Sequence, residues 1–143
     1  MRRTTLVLVA VWIGLASVPL RALCERLPLE QQFARSAVVF VGRATAQEIE
    51  NVTRVVTTFT VQEMWKGAPA TEVRVTTCGQ GRRGDELLVC DPDSFTSFRI
   101  GSTYLVFASG DPLRTSACVS TALLERASAT LEWLAKQPRL TGR

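Results

Sequence analysis

Thr53-Arg54-Val55-Val56-Thr57-Thr58-Phe59-Thr60-Val61-Gln62-Glu63-Met64-Trp65 alternates along its length. Val55, Thr57, Phe59 and Val61 fall on one side, and Val56, Thr58, Thr60 and Gln62 on the other. A period of two is that of a long, half-buried β-strand. Lys66-Gly67-Ala68-Pro69 follows with turn chemistry, and Val73 and Val75 then alternate with Arg74 and Thr76. The two runs therefore predict a hairpin.

Upstream, Ala37-Val38-Val39-Phe40-Val41-Gly42 is a run of β-formers closed by a glycine, which suits a first strand with a bulge or bend at Gly42. Pro28 ahead of Leu29-Glu30-Gln31-Gln32-Phe33-Ala34-Arg35 predicts a two-turn helix that docks Leu29 and Phe33 on the sheet. Downstream, Tyr104-Leu105-Val106-Phe107-Ala108 reads as a near-continuous apolar strand. Leu113 to Val119 is expected to pair after the turn at Gly110-Asp111-Pro112, which places Cys118 on the last strand. From Ser120 onward, Leu123, Leu124, Ala127, Leu131 and Leu134 recur at helical spacing, with Lys136 and Pro138 marking the end. The expected fold is mainly β: about five strands in a small Greek-key barrel of the OB type, flanked by a short N-terminal and a C-terminal helix.

The N-terminus has a different character. Met1-Arg2-Arg3 gives a positive start and Leu6 to Leu15 an apolar core broken only by Gly14, which is a secretion-signal pattern. The apolar stretch from Thr4 to Val18 is shorter than the ~20 residues of a spanning helix, and Pro19 and Arg21 close it, so no stable membrane anchor is expected. The best small-residue site lies after Ala22. Residues 1–22 are then the signal and 23–143 one domain, exported to the periplasm or the extracellular space.

The precursor has 17 basic and 13 acidic residues, net charge +4. The signal carries Arg2, Arg3 and Arg21 and no acidic residue, so 14 basic residues then face 13 acidic ones, a net charge of +1. The basicity belongs to the signal and names no nucleic-acid partner.

All four cysteines, Cys24, Cys78, Cys90 and Cys118, fall in the remaining 121 residues. An even number in a small exported domain reads as two disulfides, and without a CxxC the spacing is not that of a zinc site. Spacing leaves all three connectivities open; the expected pairing is Cys24–Cys118 with Cys78–Cys90. Closing the longer loop stabilises the fold by about 4–5 kcal/mol on the chain-entropy model.

The chain has no histidine, which removes Ser-His-Asp and Cys-His nucleophiles and imidazole metal ligands together. Asp85, Glu86, Asp91 and Asp93 cluster in a stretch rich in Gly, Arg and Pro, the composition of a solvated loop, and Asp91-Pro92-Asp93 lacks the glycine and distal glutamate of an EF-hand. Gly79, Gly81 and Gly84 are not followed by a phosphate-loop Lys-Ser/Thr, so Arg82 and Arg83 read as loop-tip charges. Asn51-Val52-Thr53 matches an N-glycosylation acceptor, a short pattern that recurs by chance. No catalytic residue, metal ligand or cofactor is expected; Trp65 and Trp133 read as packing aromatics.

Four segments follow one another as Ser36-Ala37-Val38-Val39-Phe40-Val41-Gly42-Arg43, Phe59-Thr60-Val61-Gln62-Glu63-Met64-Trp65-Lys66-Gly67, Gly101-Ser102-Thr103-Tyr104-Leu105-Val106-Phe107-Ala108 and Leu113-Arg114-Thr115-Ser116-Ala117-Cys118. Their order resembles the netrin-like family that includes the tissue inhibitors of metalloproteinases, and especially its bacterial relatives. The resemblance implies an OB-like barrel and supports the Cys24–Cys118 bridge. It also implies a protein-binding role through Leu23, Cys24 and Glu25, with a metalloprotease as partner. In the inhibitors a leading Cys-x-Cys chelates the protease zinc through its α-amino group and carbonyl. Here Cys24 stands alone, and cleavage after Ala22 leaves Leu23 ahead of it, so the amine is displaced; Asp91 follows Cys90 where the family has a glycine.

Three function classes follow. The leading one is an exported, non-enzymatic protein-binding module resembling these inhibitors. The alternative is an exported structural or interaction domain without inhibitory activity. Oligonucleotide or glycan binding, common among OB folds, is disfavoured by near-neutral charge and few aromatics.

Overall fold

The computed structural model describes residues 26–51, 53–79, 81–83, 86–88 and 97–140, with 81–83 and 86–88 as backbone alone. Helix α1 (Leu29–Arg35) starts after Pro28, as the sequence predicts. Strands β1 (Val38–Asn51), β2 (Arg54–Lys66) and β3 (Glu72–Cys78) follow as an antiparallel meander, the last two forming the expected hairpin. Backbone 81–83 and 86–88 forms a separate small hairpin, β4 (Gly81–Arg83) with β5 (Glu86–Leu88). Strand β6 (Thr103–Ala108) returns beside β1, and β7 (Ala122–Leu123) pairs with the outer side of β6. The main sheet is five-stranded and antiparallel, in the order β3-β2-β1-β6-β7.

Two expectations change. Residues 113–119 do not form a ladder with β6: Arg114 alone bridges Ser109, and Cys118 lies in a turn rather than on a strand. The helix expected from Ser120 is divided into β7, a 3₁₀ turn (Leu124–Arg126) and α2 (Ser128–Leu134). Backbone pairing explains the division. Leu123 and Ala122 face Tyr104 and Leu105 on β6, and successive leucines go to opposite sides of the sheet, Leu123 to one apolar cluster and Leu124 to the other. That is strand behaviour, and the gain from pairing overrides a local helical period.

β1 over Val39–Gly42 and β6 over Tyr104–Ala108 are buried on both faces. Phe40, Ala44, Tyr104, Val106 and Ala108 join Phe59, Met64, Val73, Val75 and Phe98 in the first cluster. Val39, Val41, Leu105 and Phe107 join Trp65, Ala127 and Leu134 in the second, which Phe33 of α1 and Leu131 and Trp133 of α2 cover. Phe59 anchors the first cluster, with edge-to-face contacts to Phe40, Phe98 and Tyr104 at centroid distances of 5.6, 4.7 and 6.3 Å.

The sheet bends to enclose the first cluster. The β1–β2 register shifts at Val39/Phe40, Val41/Gly42 and Ala44/Ala46, and such bulges increase twist and curvature. Leu113 and Arg114 then span the distance between the two sides: the Thr76 amide of β3 donates to the Leu113 carbonyl at 2.8 Å, while Arg114 and Ser109 exchange bonds of 2.8 and 2.9 Å. Among the described residues this is a link through Leu113 and Arg114 rather than a ladder closing the sheet.

The bend requires a bare α-carbon at position 42. A Cβ there falls 2.9 Å from Phe40 Cε2, in the first cluster, and 3.1 Å from the Thr60 carbonyl oxygen of β2. Gly42→Val is therefore expected to lose about 1–3 kcal/mol of stability, read as a lower urea midpoint with an unchanged slope; a variant unfolding at the wild-type midpoint contradicts this reading of the bulge.

Candidate interaction surface at the chain start

The expected contact residues Leu23, Cys24 and Glu25 lie outside the described residues, which begin at Arg26. What the structure provides is the anchorage just behind them. Gln32 sits on α1 three residues after Leu29, which puts the two on one side of the helix, and directly before Phe33. It is only 6% exposed. A buried amide must use its polar ends, and it does. Gln32 Nε2 donates to the Leu27 carbonyl at 2.6 Å, and its Oε1 accepts from the Ser120 amide at 2.8 Å. One side chain thus holds the segment ahead of α1 against the turn that contains Cys118.

The turn is fixed by its own hydroxyls. Thr121 Oγ1 accepts from the Phe107 amide at 2.9 Å, and Thr115 Oγ1 donates to the Phe107 carbonyl at 2.8 Å, with 2.7 Å between the two hydroxyl oxygens. Beyond β7, these side chains replace the strand that β6 would otherwise pair with. Their proximity is structural, since they satisfy a buried backbone group. Cys118 follows in the turn, its amide donating to Ser116 Oγ at 3.0 Å.

Helix α1 is held at both ends. Lys66, at the end of β2, donates from Nζ to the Phe33 and Ala34 carbonyls, each at 2.7 Å, and lies 5.4 Å from the Phe33 ring centroid. A cation at these carbonyls satisfies groups that the helix leaves unpaired and complements its dipole. Lys66 was expected only to shape a turn; that part falls to Gly67, whose φ of +111° favours glycine. On the far side Trp133 Nε1 donates to Glu30 Oε1 at 3.0 Å and its ring meets Phe33 edge-on at 5.7 Å. Between α1 and the Cys118 turn lies a small cleft of about 110 Å³ lined by Leu27, Gln32, Arg35, Ser36, Cys118 and Val119.

Cys78 and Cys118, the two described cysteines, are both disulfide-bonded. Cys24 and Cys90 lie outside the described residues, and so does the pairing expected for them. Of the acidic cluster, Asp85, Asp91 and Asp93 lie outside as well, while Glu86 stands on strand β5 rather than in a loop; Arg82 and Arg83 likewise lie on β4 rather than at a loop tip. No group of three His, Cys, Asp or Glu side chains suited to a metal ion occurs among the described residues. Nor is any helix among them long and apolar enough to cross a membrane. Asn51 is at the exposed tip of the β1–β2 hairpin, where its Oδ1 accepts from the amide and hydroxyl of Thr53 at 3.0 and 3.2 Å. Trp65 is 4% exposed and packs in the second cluster, its Nε1 without a hydrogen-bond partner among the described residues.

Gln32 and Lys66 were the residues sequence reading missed. For Gln32 a signal existed: a polar residue inside the apolar stripe Leu29–Phe33. For Lys66 none did, because its acceptors are more than thirty positions away. Comparison with family models, with curated proteins and with solved structures finds no match.

The anchorage has a measurable signature. Gln32→Leu leaves the Leu27 carbonyl and Ser120 amide without that partner and is expected to cost about 1–3 kcal/mol. Gln32→Glu keeps the acceptor toward Ser120 but sets a carboxylate oxygen against the Leu27 carbonyl. Burial and that carbonyl raise the new carboxyl's pKa above its unfolded value, so the variant is closest to wild type in acid and loses stability as pH rises toward neutrality. Urea titrations at about pH 4 and about pH 7 check the sign; a penalty that shrinks as pH rises contradicts the placement.

Proposed function

We propose that this chain is an exported, non-enzymatic protein-binding module of netrin-like type, its sheet curved into a small OB-like barrel and stapled by Cys24–Cys118 and Cys78–Cys90. Residues Leu23, Cys24 and Glu25 are its contact segment. The observation that carries the reading is the pair of hydrogen bonds that Gln32 makes, to the Leu27 carbonyl and from the Ser120 amide. It sets the chain three residues after Cys24 beside a turn whose Cys118 is disulfide-bonded, which is the arrangement a Cys24–Cys118 bridge requires. A contact segment fastened on both sides loses little conformational freedom when a partner binds. The Leu113–Arg114 link between β3 and the end of β6 supports the barrel.

A metalloprotease is the partner class that the sequence resemblance suggests. Inhibition through zinc needs a free α-amino group at Cys24, because an amine with pKa near 8 is partly neutral at physiological pH and can coordinate the ion. Cleavage after Ala22 puts Leu23 in that place, and this favours the second reading, an exported structural or interaction domain without inhibitory activity.

Non-reducing peptide mass spectrometry of the exported protein, followed by inhibition assays against a panel of zinc endopeptidases, separates the two. The module reading predicts the Cys24–Cys118 and Cys78–Cys90 pairs, and inhibition that acetylation of a Cys24 amino terminus abolishes. A chain beginning at Leu23 that inhibits no member of the panel removes the zinc-directed mechanism and leaves the domain without inhibitory activity. Any other pairing overturns the proposed staple.

A further inference from the structure

A second surface lies apart from the chain start, where β7 ends the sheet. β7 is paired on one side only, with β6. In an antiparallel pair consecutive residues alternate between exchanging both backbone bonds and turning them away. Of Ala122 and Leu123, one therefore presents its N–H and C=O outward, and no described backbone group meets them. An unpaired strand edge is a template for another extended chain.

Beside that edge is a groove of about 450 Å³ lined by Ser102, Thr103, Leu123, Leu124 and Glu125. Its apolar part is preformed, because Leu123 and Leu124 are each half-buried against a core cluster and so are not free to rearrange. The Ser102 amide and carbonyl are already bonded, to Arg99 and Ala44, so the polar groups that Ser102 and Thr103 bring to the lining include their hydroxyls. Glu125 is exposed and has no ion pair or hydrogen bond among the described residues, whereas Glu48, Glu50 and Glu63 each pair with an arginine. Arg126, the neighbouring charge, is not part of the lining.

We infer that this groove and the β7 edge form a docking site for an extended peptide segment of a partner protein, one carrying an apolar side chain next to a basic one. The strand edge takes the backbone, the Leu123–Leu124 floor takes the apolar side chain, and the unpaired Glu125 carboxylate meets the cation. Strand addition works this way in general: main-chain bonds hold the peptide and alternate side chains select it. The inference rests on the reading of the chain as a protein-binding module, but its surface is a different one.

The test uses the oxidised, ¹⁵N-labelled protein and two end-blocked hexapeptides, one alternating valine with lysine and one alternating valine with glutamate. The lysine peptide is expected to shift the amides of Thr103 and Leu123–Glu125 saturably and the glutamate peptide to leave them in place. Glu125→Lys, an exposed substitution, should weaken the lysine peptide about fivefold with an unchanged urea midpoint. Equal shifts from both peptides, or none at these amides, overturn the inference. Shifts confined to residues 26–36 and 116–120 also overturn it, while leaving the chain-start reading intact; shifts at the groove in a protein that inhibits no protease do the reverse.

Discussion

The two-sided burial of β1 and β6 is the constraint on which the rest of the structure depends. Their shared ladder runs from Val38 opposite Ala108 to Arg43 opposite Thr103, and side chains on both faces of it are buried. A pair buried on both sides needs two covers. One is made by the sheet, which bends at the bulges of β1 so that Phe59, Val73 and Val75 fold over Phe40 and Val106. The other is made by α1 and α2, neither longer than seven residues and neither stable alone in water. They exist as helices because Phe33, Leu131 and Leu134 close the second cluster, with Lys66 supplying the C-terminal partners of α1.

The same constraint places the candidate surfaces. Because α1 must cover Val39 and Phe107, the chain before it arrives beside the turn at Cys118, and Gln32 fixes that approach. Because β6 is filled by β1 on one side and has only two residues of β7 on the other, its remaining edge is closed by the hydroxyls of Thr115 and Thr121 at Phe107, and the sheet ends on the outer side of β7. The surfaces proposed for partner binding are thus where the packing of the central pair ends.

Sequence reading recovered the elements whose side chains obey one period. The alternation of 53–65 and the apolar run 104–108 gave β2 and β6 to within a residue or two, and Gly42 marked the bulge. It missed the extension of β1 to Asn51 because residues 45–51 are exposed, and Ile49, 75% exposed, contributes nothing to a core. Pairing with β2 alone holds that arm, and pairing leaves no periodic trace in exposed residues. The final third was misread for a related reason: Leu123 and Leu124 fit a helix by spacing, but β6 offers Leu123 a strand partner in Tyr104, nineteen positions upstream. Gln32 was legible as a polar residue in an apolar stripe; the acceptors of Lys66 and the hydroxyl pair at Phe107 were not, since they depend on contacts between distant segments.

Native-state hydrogen exchange tests the central pair most directly. If β1 and β6 are the foundation, the amides of Val39–Val41 and Leu105–Phe107 that bond within the ladder exchange only through global unfolding, with free energies equal to that of urea denaturation, while those of 45–51 open at much lower cost. Central amides that exchange by local opening, or an arm as protected as the centre, would contradict the account.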